Sequence, residues 1–174
     1  ITLEGFWIGA EVEIAGGRLG GKSAFSRFDV EIKRWDTFFK RHHTFIRTKV
    51  TGSDRPLPFQ RSYTLGNTLR AYNNFDFSGD RLLMFQASYN YEMPKLPLLD
   101  YLFFTWSPEV IFETGNAFFD VDRIGRYREM KSDYGLGVCG RTLLGRLGVH
   151  WFRNLDGADI DARLRVSLDM NIFR

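Results

Sequence analysis

LPFQRSYTLGNTLRAYNNFDFSGDRLLMFQASYNYEMP, residues 57–94, is the stretch from which the rest of the chain can be read. Its second half alternates strictly. Leu83, Phe85, Ala87, Tyr89 and Tyr91 share one parity, and Met84, Gln86, Ser88, Asn90 and Glu92 share the other. Successive side chains of a β-strand point to opposite faces, so this pattern predicts a strand over 81–93 with one apolar and one polar face. At about thirteen residues it is twice the usual strand of a water-soluble protein. It is also long enough for a tilted bilayer crossing, which takes about 9–11 residues. The first half is different: Leu65-Gly66-Asn67 and Ser78-Gly79-Asp80 are turn clusters, and Pro56 and Pro58 precede them. They predict a loop over 54–80, well beyond the roughly 12–15 residues at which a connection calls for a functional reason.

The same alternation recurs on both sides. Phe6, Ile8, Ala10, Val12 and Ile14 oppose Glu11 and Glu13; Phe28, Val30 and Ile32 oppose Arg27, Asp29, Glu31 and Lys33; Ile46, Thr48 and Val50 oppose Arg47 and Lys49. Further on, Trp106, Val110 and Phe112 oppose Glu109, Ile111 and Glu113, and Tyr134, Leu136 and Val138 oppose Asp133, Cys139 and Arg141. Leu147, Val149 and Trp151 oppose Arg146 and His150, and Leu164, Val166 and Leu168 oppose Arg163, Arg165 and Asp169. Eight long amphipathic strands and no convincing helix predict one domain over 1–174, an all-β antiparallel up-and-down meander. The chain opens at Ile1 without a signal peptide, and so reads as a processed product or as part of a longer protein.

Composition narrows the class. No run of about 18 apolar residues exists to form a transmembrane helix, but a transmembrane barrel uses only alternate residues against lipid. Aromatic residues make up 16% of the chain and gather near strand ends, at Trp35, Phe38 and Phe39, Phe103 and Phe104, and Phe118 and Phe119, which suits interfacial girdles. A net charge of +3 is too small and dispersed to predict nucleic-acid binding. The polar face nearly balances its charges, with Glu11, Glu13, Asp29, Glu31, Glu92, Glu113 and Asp169 against Arg27, Lys33, Arg47, Lys49, Arg141, Arg146, Arg163 and Arg165. Charges removed from water are tolerated when paired, so these residues are expected to form an interior polar network. A soluble ligand-binding barrel would show the same alternation with its faces exchanged.

LGNTLRAY followed by FSGDRLLMFQASYNYEMP resembles the C-terminal barrel region of the BamA/TamA superfamily of outer-membrane insertases and translocases. In that family a loop of the type LGG…LRGY precedes a GDR-led strand; Ala71 stands here where the family has glycine. VIFETGNAFF and DYGLGVCGR are similar to the family's following strands. The resemblance implies a transmembrane β-barrel of eight strands, or the C-terminal half of a sixteen-stranded one, in a bacterial outer membrane or an organelle membrane of bacterial origin. It implies a role in outer-membrane protein insertion or polypeptide translocation, with the lipid bilayer, client outer-membrane proteins or a second barrel copy as partners. A small closed barrel acting as a non-catalytic membrane anchor is the alternative. Leu69, Arg70, Ala71, Tyr72, Gly79 and Asp80 match the loop motif, and the resemblance implies that Arg70 folds inward to pair with Glu113.

No catalytic spacing of nucleophile, base and acid stands out, and neither a cofactor nor a metal site is expected. His42 and His43 are adjacent and point to opposite faces of a strand. Cys139 stands alone, and His150 reads as a packed interior residue. Asp120, Asp122 and Asp133 are scattered and do not form a calcium loop. The last strand resembles an insertion signal, although Phe173 is followed by Arg174.

Overall fold

A computed structural model describes residues 4–16, 24–58, 61–67, 69–73, 77–94, 105–119, 130–142, 145–156 and 162–170. Side chains at 67, 141, 142, 145, 146 and 168–170 lie outside this description, and so do the interior assignments made for Arg141, Arg146 and Asp169. Phe103, Phe104, Asp120, Asp122 and Phe173 also fall outside it.

Alternation produces eight long strands: β1 (Gly5–Ala15), β2 (Phe25–Phe38), β3 (His42–Ser53), β6 (Arg81–Tyr91), β7 (Thr105–Phe118), β8 (Lys131–Thr142), β9 (Gly145–Asn154) and β10 (Ala162–Met170). Two short strands, β4 (Tyr63–Thr64) and β5 (Ser78–Gly79), pair with each other inside the long loop, beside a 3-10 turn at Leu65–Asn67. The long strands form one antiparallel sheet in the order β1-β2-β3-β6-β7-β8-β9-β10. Among the described residues no pairing joins β1 to β10, so each presents an unpaired edge. No described helix is long and apolar enough to cross a membrane.

Register sorts the side chains into rows. Tyr89, Val110, Leu136, Trp151 and Leu164 lie side by side across five strands on the outer face. All are exposed, Val110 at 49%, Leu136 at 48% and Leu164 at 69%. Phe6, Ile8, Val12, Phe28, Ile32 and Val166 extend this apolar surface over the rest of the sheet. The opposite face carries the row Lys33, Arg47, Gln86, Glu113, Asp133 and Asn154. In that row Gln86, Glu113 and Asp133 are buried. Apolar side chains therefore face outward and polar ones inward.

Inside, the sheet curls until Trp35 and His43, from β2 and β3, line the same cavity as Ser107, Glu109 and Cys139, from β7 and β8. Its volume is about 330 Å³. The inner face is not uniformly polar, however. Leu82, Met84 and Ile111 sit on it and pack with Leu65, Leu69, Ala71, Tyr72, Ala117 and Phe152 into one apolar cluster. The loop supplies its own greasy residues, so the wall beneath it must match them. A strand-parity reading of charges alone cannot anticipate that.

Glycine sets the wall's thickness at one point. Gly135 lies directly opposite Phe152, and a Cβ there would come within 2.3 Å of the aromatic ring. The missing side chain lets Phe152 lie flat against β8. Gly135→Val is expected to displace that ring and cost about 1–3 kcal/mol. A fall in the urea midpoint of the folded protein checks this, and an unchanged midpoint contradicts the packing.

Candidate functional site

The site is where the 54–80 loop meets the inner wall. Its chain reverses tightly: Leu69 N–H donates to Leu65 O at 2.8 Å and Leu65 N–H to Phe77 O at 2.9 Å. Phe77 adopts a left-handed φ of 55°. Gly79 is needed for approach, since a Cβ would come within 2.3–2.6 Å of the Phe118 backbone. Asp80 beside it is buried. Leu65 and Leu69 are fully buried, so the loop rests on the wall through its apolar side chains.

That docking delivers Arg70 to two acids. Glu113 and Asp133 face each other directly across β7 and β8, 1% and 0% exposed. Arg70 Nε lies 3.4 Å from Glu113 Oε1, and Arg70 N–H donates to Glu113 Oε2 at 3.0 Å. Ala71 N–H donates to Asp133 Oδ2 at 2.8 Å. The guanidinium also sits 5.2 Å from the centre of the Phe152 ring. Two neighbouring buried carboxylates repel each other, and a cation with two aimed N–H donors offsets that repulsion. Ala71, besides that N–H contact, places its methyl in the apolar cluster.

Further contacts spread over the sheet. The single proton of the Tyr72 O–H faces Asp156 Oδ2 at 2.8 Å and Ser132 O at 3.2 Å. Tyr63 O–H donates to Asp29, and the Arg27 guanidinium lies 5.8 Å from the Tyr63 ring centre. Burial, reinforced by the adjoining Asp29 and Asp156 carboxylates, pushes both phenols above their ordinary values. On the β10 side, Arg165 Nε donates to Arg70 O at 3.2 Å and Arg163 to Asn73 Oδ1 at 2.8 Å. On the β1 side, Arg61 lies 3.8 Å from Glu13. The loop thus touches both edge strands.

The other interior charges are distributed unevenly. Arg27 pairs with Glu13 at 2.5 Å; Lys33, at 3.1 Å, and Arg47 converge on Glu31, bridging two like charges that face each other in register. Glu92 lies at a strand end, 3.6 Å from His43. Glu11 faces Asp29 and Lys49 faces Glu31 in register, and neither joins an ion pair among the described residues. Arg165 turns to loop carbonyls in place of a carboxylate. The charges therefore form separate clusters, one on β1–β3 and another around Arg70, with the uncharged Gln86 between Arg47 and Glu113 in their shared row.

Sequence reasoning missed Asp133, which reads as one scattered acid until the register sets it against Glu113. It also missed Glu109, Cys139 and His150, which meet from three strands. Cys139 Sγ–H donates to Glu109 Oε2 at 3.0 Å, and His150 Nε2 lies 3.0 Å from the same oxygen. All three are buried. Their separations along the chain carry no recognisable motif.

Arg70→Ala leaves both acids without their cation. Arg70 is 38% exposed, so the expected cost is about 1–2 kcal/mol, less than for a fully enclosed pair. Loop residues 61–80 should then be cut several-fold faster by protease, and adding Glu113→Gln should restore part of the protection. Strictly additive effects in this double-mutant cycle would show that the two residues are not coupled.

Neither any protein-family model nor any curated protein sequence matches the chain.

Proposed function

We propose that this sheet is the wall of an outer-membrane-type β-barrel, with its apolar face against lipid and the 54–80 loop folded into the lumen, and that it serves insertion or translocation of polypeptides. The observation carrying the reading is the inverted burial. Val12 at 70%, Leu164 at 69% and Val166 at 67% exposure crown an apolar surface shared by all eight long strands, whereas Glu113 and Asp133 are sealed within. A monomeric soluble protein rarely exposes a contiguous apolar patch beyond a few hundred Å², and closed barrels are the strand structures that satisfy every backbone group in a bilayer. Phe38 and Phe39, at the β2–β3 hairpin tip, are 50% and 91% exposed, as interfacial anchors would be. A soluble ligand-binding barrel would need the opposite arrangement.

Two features favour insertion or translocation. The BamA/TamA-like loop motif lies at the charged contact with Glu113 and Asp133. Among the described residues the edges of β1 and β10 have no strand partner, and an incoming client strand could add there. The loop fills part of the lumen, which suits a guarded interior better than an open pore.

Lipid contact is tested by fluorescence in vesicles containing brominated lipid. A protein retaining only Trp151 should be strongly quenched, and one retaining only Trp35, beside the cavity, should be quenched little. Equal responses would reject the assignment of faces. Insertion is tested with proteoliposomes offered an unfolded outer-membrane barrel, followed by heat-modifiable gel migration. Faster client folding than in empty vesicles is expected; no acceleration rejects the insertion role and leaves the membrane anchor.

A further inference from the structure

We propose that Glu109, Cys139 and His150 form a binding site for one transition-metal ion of borderline softness, of the Zn²⁺ class, with a fourth coordination position opening on the interior cavity. The register makes the site. Glu109, Gly137 and His150 lie in one row across β7, β8 and β9, and Cys139 stands two residues further along β8. Gly137 has no side chain, so carboxylate and imidazole reach over it and meet beside the thiol.

The three ligand atoms point to a common centre. Sγ to Oε2 and Nε2 to Oε2 are both 3.0 Å, and Sγ to Nε2 is 3.5 Å. Tetrahedral zinc, with bonds of about 2.0–2.3 Å, holds such atoms about 3.3–3.6 Å apart, so an ion would need them to spread by only a few tenths of an ångström. The arrangement does not fit a nucleophile relay. A Cys-His-acid relay uses the two ring nitrogens for different partners, whereas here Nε2 alone faces both Sγ and Oε2.

The imidazole is held in a fitted slot. A Cβ on Gly137 would lie 2.3 Å from His150 Cδ2, and one on Gly148 would lie 2.8 Å from His150 Cε1 and 3.2 Å from Cys139 Sγ. Two glycines, Gly137 on the neighbouring β8 and Gly148 two residues back on β9 itself, thus make room for the ring. Charge also balances: a thiolate, a carboxylate and a neutral imidazole bring a divalent ion to zero net charge, which suits a buried position. Arg165 is next in the row after His150, but its guanidinium turns to the carbonyls of Arg70 and Tyr72. Glu109 and Cys139 line the cavity, which gives a water molecule or small ligand access to the fourth position. The site stands on wall geometry and does not depend on lipid contact or client insertion.

The test titrates chelator-treated, folded protein in detergent with Co²⁺ alone. One equivalent should bind, with a thiolate-to-cobalt charge-transfer band and four-coordinate ligand-field bands, all bleached by Zn²⁺. Cys139→Ser should abolish the charge-transfer band and weaken Zn²⁺ binding at least about tenfold. A His42→Ala, His43→Ala double variant should change neither. Should Cys139→Ser fail to fold, X-ray absorption of the Zn²⁺-loaded unaltered protein decides, with one sulfur neighbour expected at about 2.3 Å. Binding without a sulfur signal, binding unchanged in Cys139→Ser, binding lost in the His42/His43 variant, or no binding would each overturn the proposal.

Discussion

Two carboxylates that water cannot reach govern this structure. Glu113 and Asp133 face each other on adjacent strands and are fully enclosed. Like charges at that spacing are unfavourable, and more so where the surroundings cannot reorient to screen them. What makes them tolerable comes from outside the sheet: the Arg70 guanidinium and the backbone N–H groups of Arg70 and Ala71. The loop in turn has little regular structure of its own and is fixed by the cluster it shares with Leu82, Met84, Ile111 and Phe152. Loop and wall are therefore mutually dependent: removing either leaves the other with buried groups it cannot satisfy.

This dependence ties chemistry to shape. The apolar cluster supplies burial and little direction, because burial of greasy surface is not directional. Direction comes from the polar contacts, which accept one loop geometry. Phe152 belongs to both, since it lies flat on Gly135 and presents its ring to Arg70. That combination explains why glycine stands at 135: the ring opposite needs a thin place on the neighbouring strand.

Much of the architecture was readable from the residues because period-two alternation is a local signal. Residues 81–93 announced a two-faced strand, and β6 occupies Arg81–Tyr91. The same parity rule identified β1, β2 and β3 and assigned Val12 and Val50 to one face and Glu13 and Lys49 to the other. The Arg70 and Glu113 contact came from the loop wording, not from spacing. What parity could not supply was register. Asp133 gained meaning only once β8 was aligned with β7, and Glu109, Cys139 and His150 only once Gly137 was seen to leave a gap between two of them. Met84 was placed on the polar face, but its role there, and that of Leu82, stayed hidden for a different reason: a strand cannot reveal that its polar side will be covered by a greasy loop.

One feature of the loop has a mechanical meaning. It reaches the first long strand through Arg61 and Glu13 and the last through Arg165 and the Arg70 carbonyl. A segment fastened at both flanks behaves like the string of a bow. Were the outermost ribbons to spread, the string would tighten and draw on both fastenings. The loop thus links the interior contacts around Arg70 to both outermost ribbons at once.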